Sequence, residues 1–166
     1  MLKHFVFKIV PLLNPDGVFR GYFRNDTQGL NLNRVYAEPD PVLHPTIYGV
    51  KKAIMHEYNQ KKLHIYTDMH GHVNKRGCFV FGNTVADMKI HLQQLLLPKL
   101  MSLNCVNFDF TECNFKDSVN NKVDKKGNSR SGSGRAVIFK ETGAGDVPYC
   151  FTLEGNYATG LRINTL

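Results

Sequence analysis

Short apolar runs in this chain end in residues that carry chemistry, and they alternate with stretches whose apolar residues recur at helical spacing. That alternation favours an α/β fold, in which strands deliver side chains to one edge of a sheet flanked by helices. Residues 4–11 (HFVFKIVP), 63–69, 78–81, 135–140 and 150–154 read as strands. Residues 46–58 place Ile47, Val50, Ile54 and Tyr58 on one helical face, with Pro45 just ahead, where a first-turn proline is tolerated. Residues 86–103 form a second helical pattern, which Pro98 is expected to kink or break. Residues 17–45 are polar and irregular, and an irregular stretch that long inside a compact domain is usually functional. Residues 120–134 are rich in Asn, Lys, Ser and Gly and read as a mobile loop.

The composition admits a single domain. A chain of 166 residues with 42% hydrophobic content can bury a substantial core, and no apolar run approaches the roughly 20 residues of a membrane span. The apolar start is broken by Lys3 and Lys8, too short and interrupted for a signal peptide. Cys78, Cys105, Cys113 and Cys150 have no C-x-x-C spacing, so they read as reduced and mostly buried thiols of a cytosolic protein. The net charge of +7 is concentrated between Lys116 and Lys140, which suits either a solvated loop or attraction for an acidic polymer. Nucleic acid is the less favoured polymer, because aromatic residues are not interleaved with the basic ones.

The chemistry gathers where the predicted strands end. His70 follows the run at 63–69 and precedes Gly71, a good position for a metal ligand facing a cleft, with Asp68 placed to orient its ring. A buried, hydrogen-bonded histidine is the alternative. His72 could join His70 on one face, yet no third ligand stands at a recognisable spacing, and catalytic zinc normally takes three protein ligands. Glu154 closes an apolar strand, either facing solvent or held in a site with a raised pKa, where it could act as general base and then general acid. Asn33 and Arg34 offer an amide and a planar fork for a carboxylate, while Arg24 and Arg20 could polarise a carbonyl. Surface ion pairs are the alternative for these arginines.

The order of motifs (N-P-D-G at 14–17, N-L-N-R at 31–34, D-M-H-G-H at 68–72, K-R-G-C at 75–78, G-S-G-R at 132–135 and F-T-L-E at 151–154) resembles the zinc metallocarboxypeptidases. It is most similar to their cytosolic branch, which trims glutamates from tubulin and other proteins. The resemblance implies an α/β fold with a mixed, mostly parallel sheet flanked by helices, incomplete at both ends, so that residues 1–166 form a partial catalytic domain. It implies one zinc ion, with His70 as a ligand and Glu154 as the general base. It makes Arg24 the residue that polarises the scissile carbonyl, Asn33 and Arg34 the clamp for the terminal carboxylate, and Arg135 and Lys140 part of the pocket for the departing acidic side chain. The implied partners are glutamate-rich C-termini such as that of tubulin, in the cytosol and on microtubules, with no membrane. The chain contains no H-x-x-E, the pair that brings the family's other two zinc ligands, and it lacks the expected final helix. The second expectation is therefore a catalytically inactive fragment that still binds acidic tails.

Overall fold

A computed structural model describes residues 3–116 and 129–160. At its centre is a three-stranded sheet of order β1-β3-β2, made of β1 (Ile65–His72), β2 (Cys78–Phe81) and β3 (Tyr149–Asn156). The longer ladder, β1 with β3, is parallel and runs in register from Ile65 opposite Tyr149 to His72 opposite Asn156. The shorter one, β2 with β3, is antiparallel. The sheet is thus mixed and mostly parallel, as expected.

Helices cover both faces. On one side lies α4 (Gly134–Glu141), whose Ile138 and Phe139 join Val147 and Cys150 in a core that also receives Ile54 and Tyr58 of α2 (Pro45–Asn59). On the other side, Leu97 and Met101 of α3 (Met88–Asn104) pack with Val80, Phe108 and Phe151. Pro45 opens α2 at its first position, as the sequence suggested. The break expected at Pro98 does not occur: α3 runs on past it to Asn104, and the buried Pro98 ring sits on its core side.

The N-P-D-G motif is more than a turn. Asn14 accepts from the Gly17 amide and caps α1 (Pro15–Phe19), and its own amide donates to the Asn25 carbonyl. Residues 20–44 hold only the 3₁₀ turn Leu32–Arg34 among regular helices and strands, so the long irregular stretch is as the sequence predicts.

Two strand expectations fail. Residues 4–11 form no strand and no β-bridge among the described residues, and Val6 and Ile9 are 87% and 81% exposed. The run is pinned to α2 by Lys8 on Glu57 and by the Thr46 hydroxyl donating to the Leu13 carbonyl, and Phe5 stands edge-on to His64. Apolar alternation makes a strand only where a second backbone supplies the ladder. Residues 135–140 belong to α4, because Gly134, Arg135, Val137, Ile138 and Phe139 are all buried and a helix buried around most of its surface shows no amphipathic period. The predicted loop at 120–134, with Lys122, Lys125 and Lys126, lies mostly outside the described residues; its last part forms the 3₁₀ turn Arg130–Gly132 and then enters α4. The four cysteines are free, with Cys150 buried and Cys105 exposed.

Candidate active site

The site is a row of side chains across the sheet. His70 of β1 faces Glu154 of β3, and Glu154 faces Phe79 of β2, all as register partners. Partners in adjacent strands project to the same face about 5 Å apart, so the ladder itself brings the imidazole beside the carboxylate. Tyr66, Asp68, His70 and His72 share that face by alternation, and they are the more buried residues of β1.

His70 is held from two sides. Asp68 Oδ2 lies 2.9 Å from its Nε2, and Asn33 Nδ2 lies 3.0 Å from the same nitrogen. The amide of Asn33 cannot be turned round, because its Oδ1 accepts from the backbone amide of Gly134, 2.8 Å away at the start of α4. A single amide thus ties the N-L-N-R segment to β1 and to α4. In the neutral ring Nε2 therefore accepts from the fixed Asn33 amide and Nδ1 carries the proton, while Asp68 pairs with the ring only when it is charged. Burial opposes the charged ring, but the bond to Asp68 and the charges of Asp68 and Glu154 outweigh it and raise the His70 pKa, with Arg24 acting in the opposite direction. Burial, helped by Asp68, raises the Glu154 carboxyl above its ordinary value, and His70, His72 and Arg24 restrain it.

Arg24 is exposed and lies over the ring of Phe23, with its charge reaching both His70 and Glu154. Arg34 is half-buried and donates from one guanidinium nitrogen to the Asn33 carbonyl at 2.6 Å. Its backbone is gripped by the G-S-G-R segment: a Cβ on Gly132 would sit 2.1 Å from the Arg34 carbonyl oxygen, so only glycine permits this approach. Gly132 also accepts from the Tyr36 amide.

The structure separates the two cations expected in the side-chain pocket. Arg135 is 3% exposed and directs its guanidinium inward, onto the Gly82 carbonyl and, at 2.7 Å, onto Asn83 Oδ1. Burial lowers its pKa to about 10, with the Asp68 charge opposing the drop. Lys140 is exposed in the last turn of α4, roughly 9 Å along the helix axis from the Gly134 end that meets Asn33. His72 is committed elsewhere: its Nδ1 accepts from the Asn74 and Lys75 amides, and its ring stands edge-on to Phe79. It closes the turn after β1. Arg20 is exposed at the end of α1.

Sequence reasoning misses the floor beneath this row. Tyr36 and Tyr66 are hydrogen-bonded to each other, and burial, aided by the Asp68 charge, raises both phenols far above their ordinary range. Tyr66 is readable, since it shares its strand face with Asp68 and His70. Tyr36 and Asn83 carry no local signal. The same holds for Gln94, fully buried, whose Oε1 accepts from the Asn83 amide while Asn83 Nδ2 donates to the Cys150 carbonyl.

As a metal centre this donor set falls short. Among the described residues no group of three or more His, Cys, Asp or Glu side chains could hold a metal ion. A catalytic zinc normally takes three protein ligands.

Known proteins of similar sequence and fold are carboxypeptidases. The chain is 36% identical to mouse cytosolic carboxypeptidase 6 over 93% of its length and 31% identical to human cytosolic carboxypeptidase-like protein 5 over 98%. The chain is a homologue of the cytosolic carboxypeptidases. It spans 27% and 28% of the length of those two relatives. A metallo-carboxypeptidase from Burkholderia cenocepacia superposes with a TM-score of 0.68 at 22% identity, over 89% of this chain and 35% of that one, and so shares the fold. No protein-family model matches the chain. The α/β fold is therefore that of the metallocarboxypeptidases. No described helix is long and apolar enough to cross a membrane.

Proposed function

We propose that this chain carries the clamp and proton-transfer part of a zinc carboxypeptidase that removes glutamate from acidic C-terminal tails, tubulin's among them, in the cytosol and on microtubules. The observation that supports it best is the His70–Glu154 row, with Arg24 acting on both residues and Asn33 tying the row to the Arg34 segment. Zinc, once its other ligands are supplied, would act as a Lewis acid on the scissile carbonyl.

In this reading, the Arg34 fork takes the terminal carboxylate of the peptide and Arg24 stabilises the developing oxyanion. Glu154, with its carboxyl pKa raised by burial, takes a proton from the attacking water and passes it to the departing amine. Asn33 acts by holding His70, since both of its polar atoms are engaged inside the site. Arg135 supports the floor, and Lys140 attracts an acidic tail at longer range. A second reading, binding of acidic tails without cleavage by this polypeptide alone, draws support from the missing three-donor cluster among the described residues.

One assay decides between them. Peptides ending in glutamates are incubated with zinc and this chain joined to a segment that supplies the remaining zinc ligands, with Glu154 or with Glu154→Gln, and both free glutamate and peptide binding are measured. The carboxypeptidase reading expects wild-type release, a loss of about 10²–10⁴-fold in the variant, and binding retained in both. Binding without release in either protein favours the second reading. Release by the variant within tenfold of wild type would end the proton-transfer assignment.

A further inference from the structure

We propose that Arg130 sets specificity for a C-terminal glutamate by pairing with its side-chain carboxylate, an inference that rests on Arg34 being the clamp for the terminal carboxylate. A C-terminal glutamate brings two carboxylates into the site, and one guanidinium fork serves one of them. Neither cation that the sequence suggests for the second is placed to take it. Arg135 directs its guanidinium onto the Gly82 carbonyl and Asn83, and Lys140 stands in the last turn of α4.

Arg130 is held at the clamp by its backbone. It begins the 3₁₀ turn Arg130–Gly132, and that turn packs on Arg34 itself, since Gly132 leaves no room for a Cβ against the Arg34 carbonyl. The Gly132 carbonyl accepts from the Tyr36 amide, and the Ser133 amide donates to the Arg130 carbonyl at 3.0 Å. The Ser129 hydroxyl caps the turn by accepting from the Ser131 amide. Arg130 therefore keeps a fixed place relative to Arg34, and the residue is half-buried there.

Its side chain lacks the acceptor that its charge calls for. No ion pair or hydrogen bond of the Arg130 side chain occurs among the described residues, and its Nε is buried. Ser133, 7% exposed, likewise has a buried hydroxyl with no hydrogen-bond partner among them. Enclosed donors without an acceptor carry a desolvation cost, and an anion at this corner offsets it. Asp68 is not that anion, because it is engaged with His70. Burial lowers the Arg135 pKa and the Arg130 charge lowers it further, so the Arg130 guanidinium lies within electrostatic reach of the site's floor. A further part of the fold fits less well as the acceptor, because the turn lies against Arg34, which must stay open to the peptide.

The chemistry predicts the selectivity. A guanidinium only donates, and its bonds to a carboxylate are about twice as strong as neutral ones to an amide. Glutamate is therefore preferred over glutamine, which has the same size, at the last position.

Peptide binding by the chain as it stands gives the test, read by fluorescence anisotropy on labelled peptides of one composition that end in Gln-Glu or in Glu-Gln. Their net charges are equal, so the long-range pull of the +7 chain is the same on both. The expected result is at least tenfold tighter binding of the Gln-Glu peptide, and a preference lost in Arg130→Gln while the Glu-Gln peptide binds within about twofold of its wild-type affinity. Arg130→Lys keeps the charge without the fork and retains a reduced preference. Amidating the last residue probes the clamp separately and is expected to weaken both peptides, as is Arg34→Ala. If neither peptide binds, or amidation leaves both unchanged, the clamp reading falls and the role of Arg130 falls with it. If amidation weakens both, the clamp stands, and the proposal for Arg130 alone is overturned by any of three results: no wild-type preference, an undiminished preference in Arg130→Gln, or an equal loss of both peptides in that variant. Should Arg130→Gln fail to fold, Arg130→Lys decides, and an undiminished preference there overturns the proposal.

Discussion

Residues 4–11 and strand β3 are both eight-residue runs that begin with apolar and aromatic side chains, HFVFKIVP against YCFTLEGN, yet they meet opposite fates. Strand β3 lies between two neighbours, and Cys150 and Phe151 are 0% and 3% exposed. The run at 4–11 has an ion pair, a ring contact and a hydroxyl bond just beyond it, and it leaves Phe7 57% exposed. Apolar content was never the deciding quantity. A strand forms where neighbouring backbones accept its hydrogen bonds, and burial follows from that placement.

The sharpest way to break this comparison is to remove one phenylalanine from each run. Phe151→Ala leaves a hole among Val80 and Phe108 and is expected to cost about 3–5 kcal/mol in urea unfolding. A loss below 1 kcal/mol would mean that this core cluster does not support the sheet. A second, smaller effect is expected at Gly71, where a new Cβ would sit 2.1 Å from the ring of Tyr157. Tyr157 is 67% exposed and can swing outward, so Gly71→Ala should cost about 1 kcal/mol, the low end for overpacking. Tyr157 fluorescence should report the ring's new exposure, and an unchanged signal would contradict the contact. Smallest of all is Phe7→Ala, expected within about 0.5 kcal/mol of wild type because a mostly exposed ring loses little. A cost comparable to that of Phe151→Ala would show that the run is packed in solution.

The same contrast explains what is legible in the sequence. The ends of β1 and β3 can be read because apolar runs stop at Asp68–His70 and at Glu154, and the alternation of β1 already places Asp68 and His70 on one face. Helix α2 can be read from its spacing and from Pro45. Helix α4 reads as a strand because Ala-Val-Ile-Phe favours strands by composition, and tertiary burial overrides that preference. Arg135 cannot be placed. A cation in a basic segment reads as a surface charge, and only the fold brings the Gly82 carbonyl, Asn83 and Asp68 around it. Asn33 is identifiable by its chemistry but not by its geometry, since its partners His70 and Gly134 lie far away in sequence.

The register of β1 on β3 sets a tolerance for the whole site. His70 and Glu154 stand abreast because sixteen backbone residues agree on one alignment, so their spacing behaves like the pitch of a gear and not like the reach of a flexible arm. A slip of one tooth would set Leu153 or Gly155 beside His70 and turn Glu154 to the α3 side of the sheet. No intermediate setting exists between those two. Side chains in the row can therefore be exchanged one at a time without moving the others, and the row fails as a unit only when the ladder itself gives way.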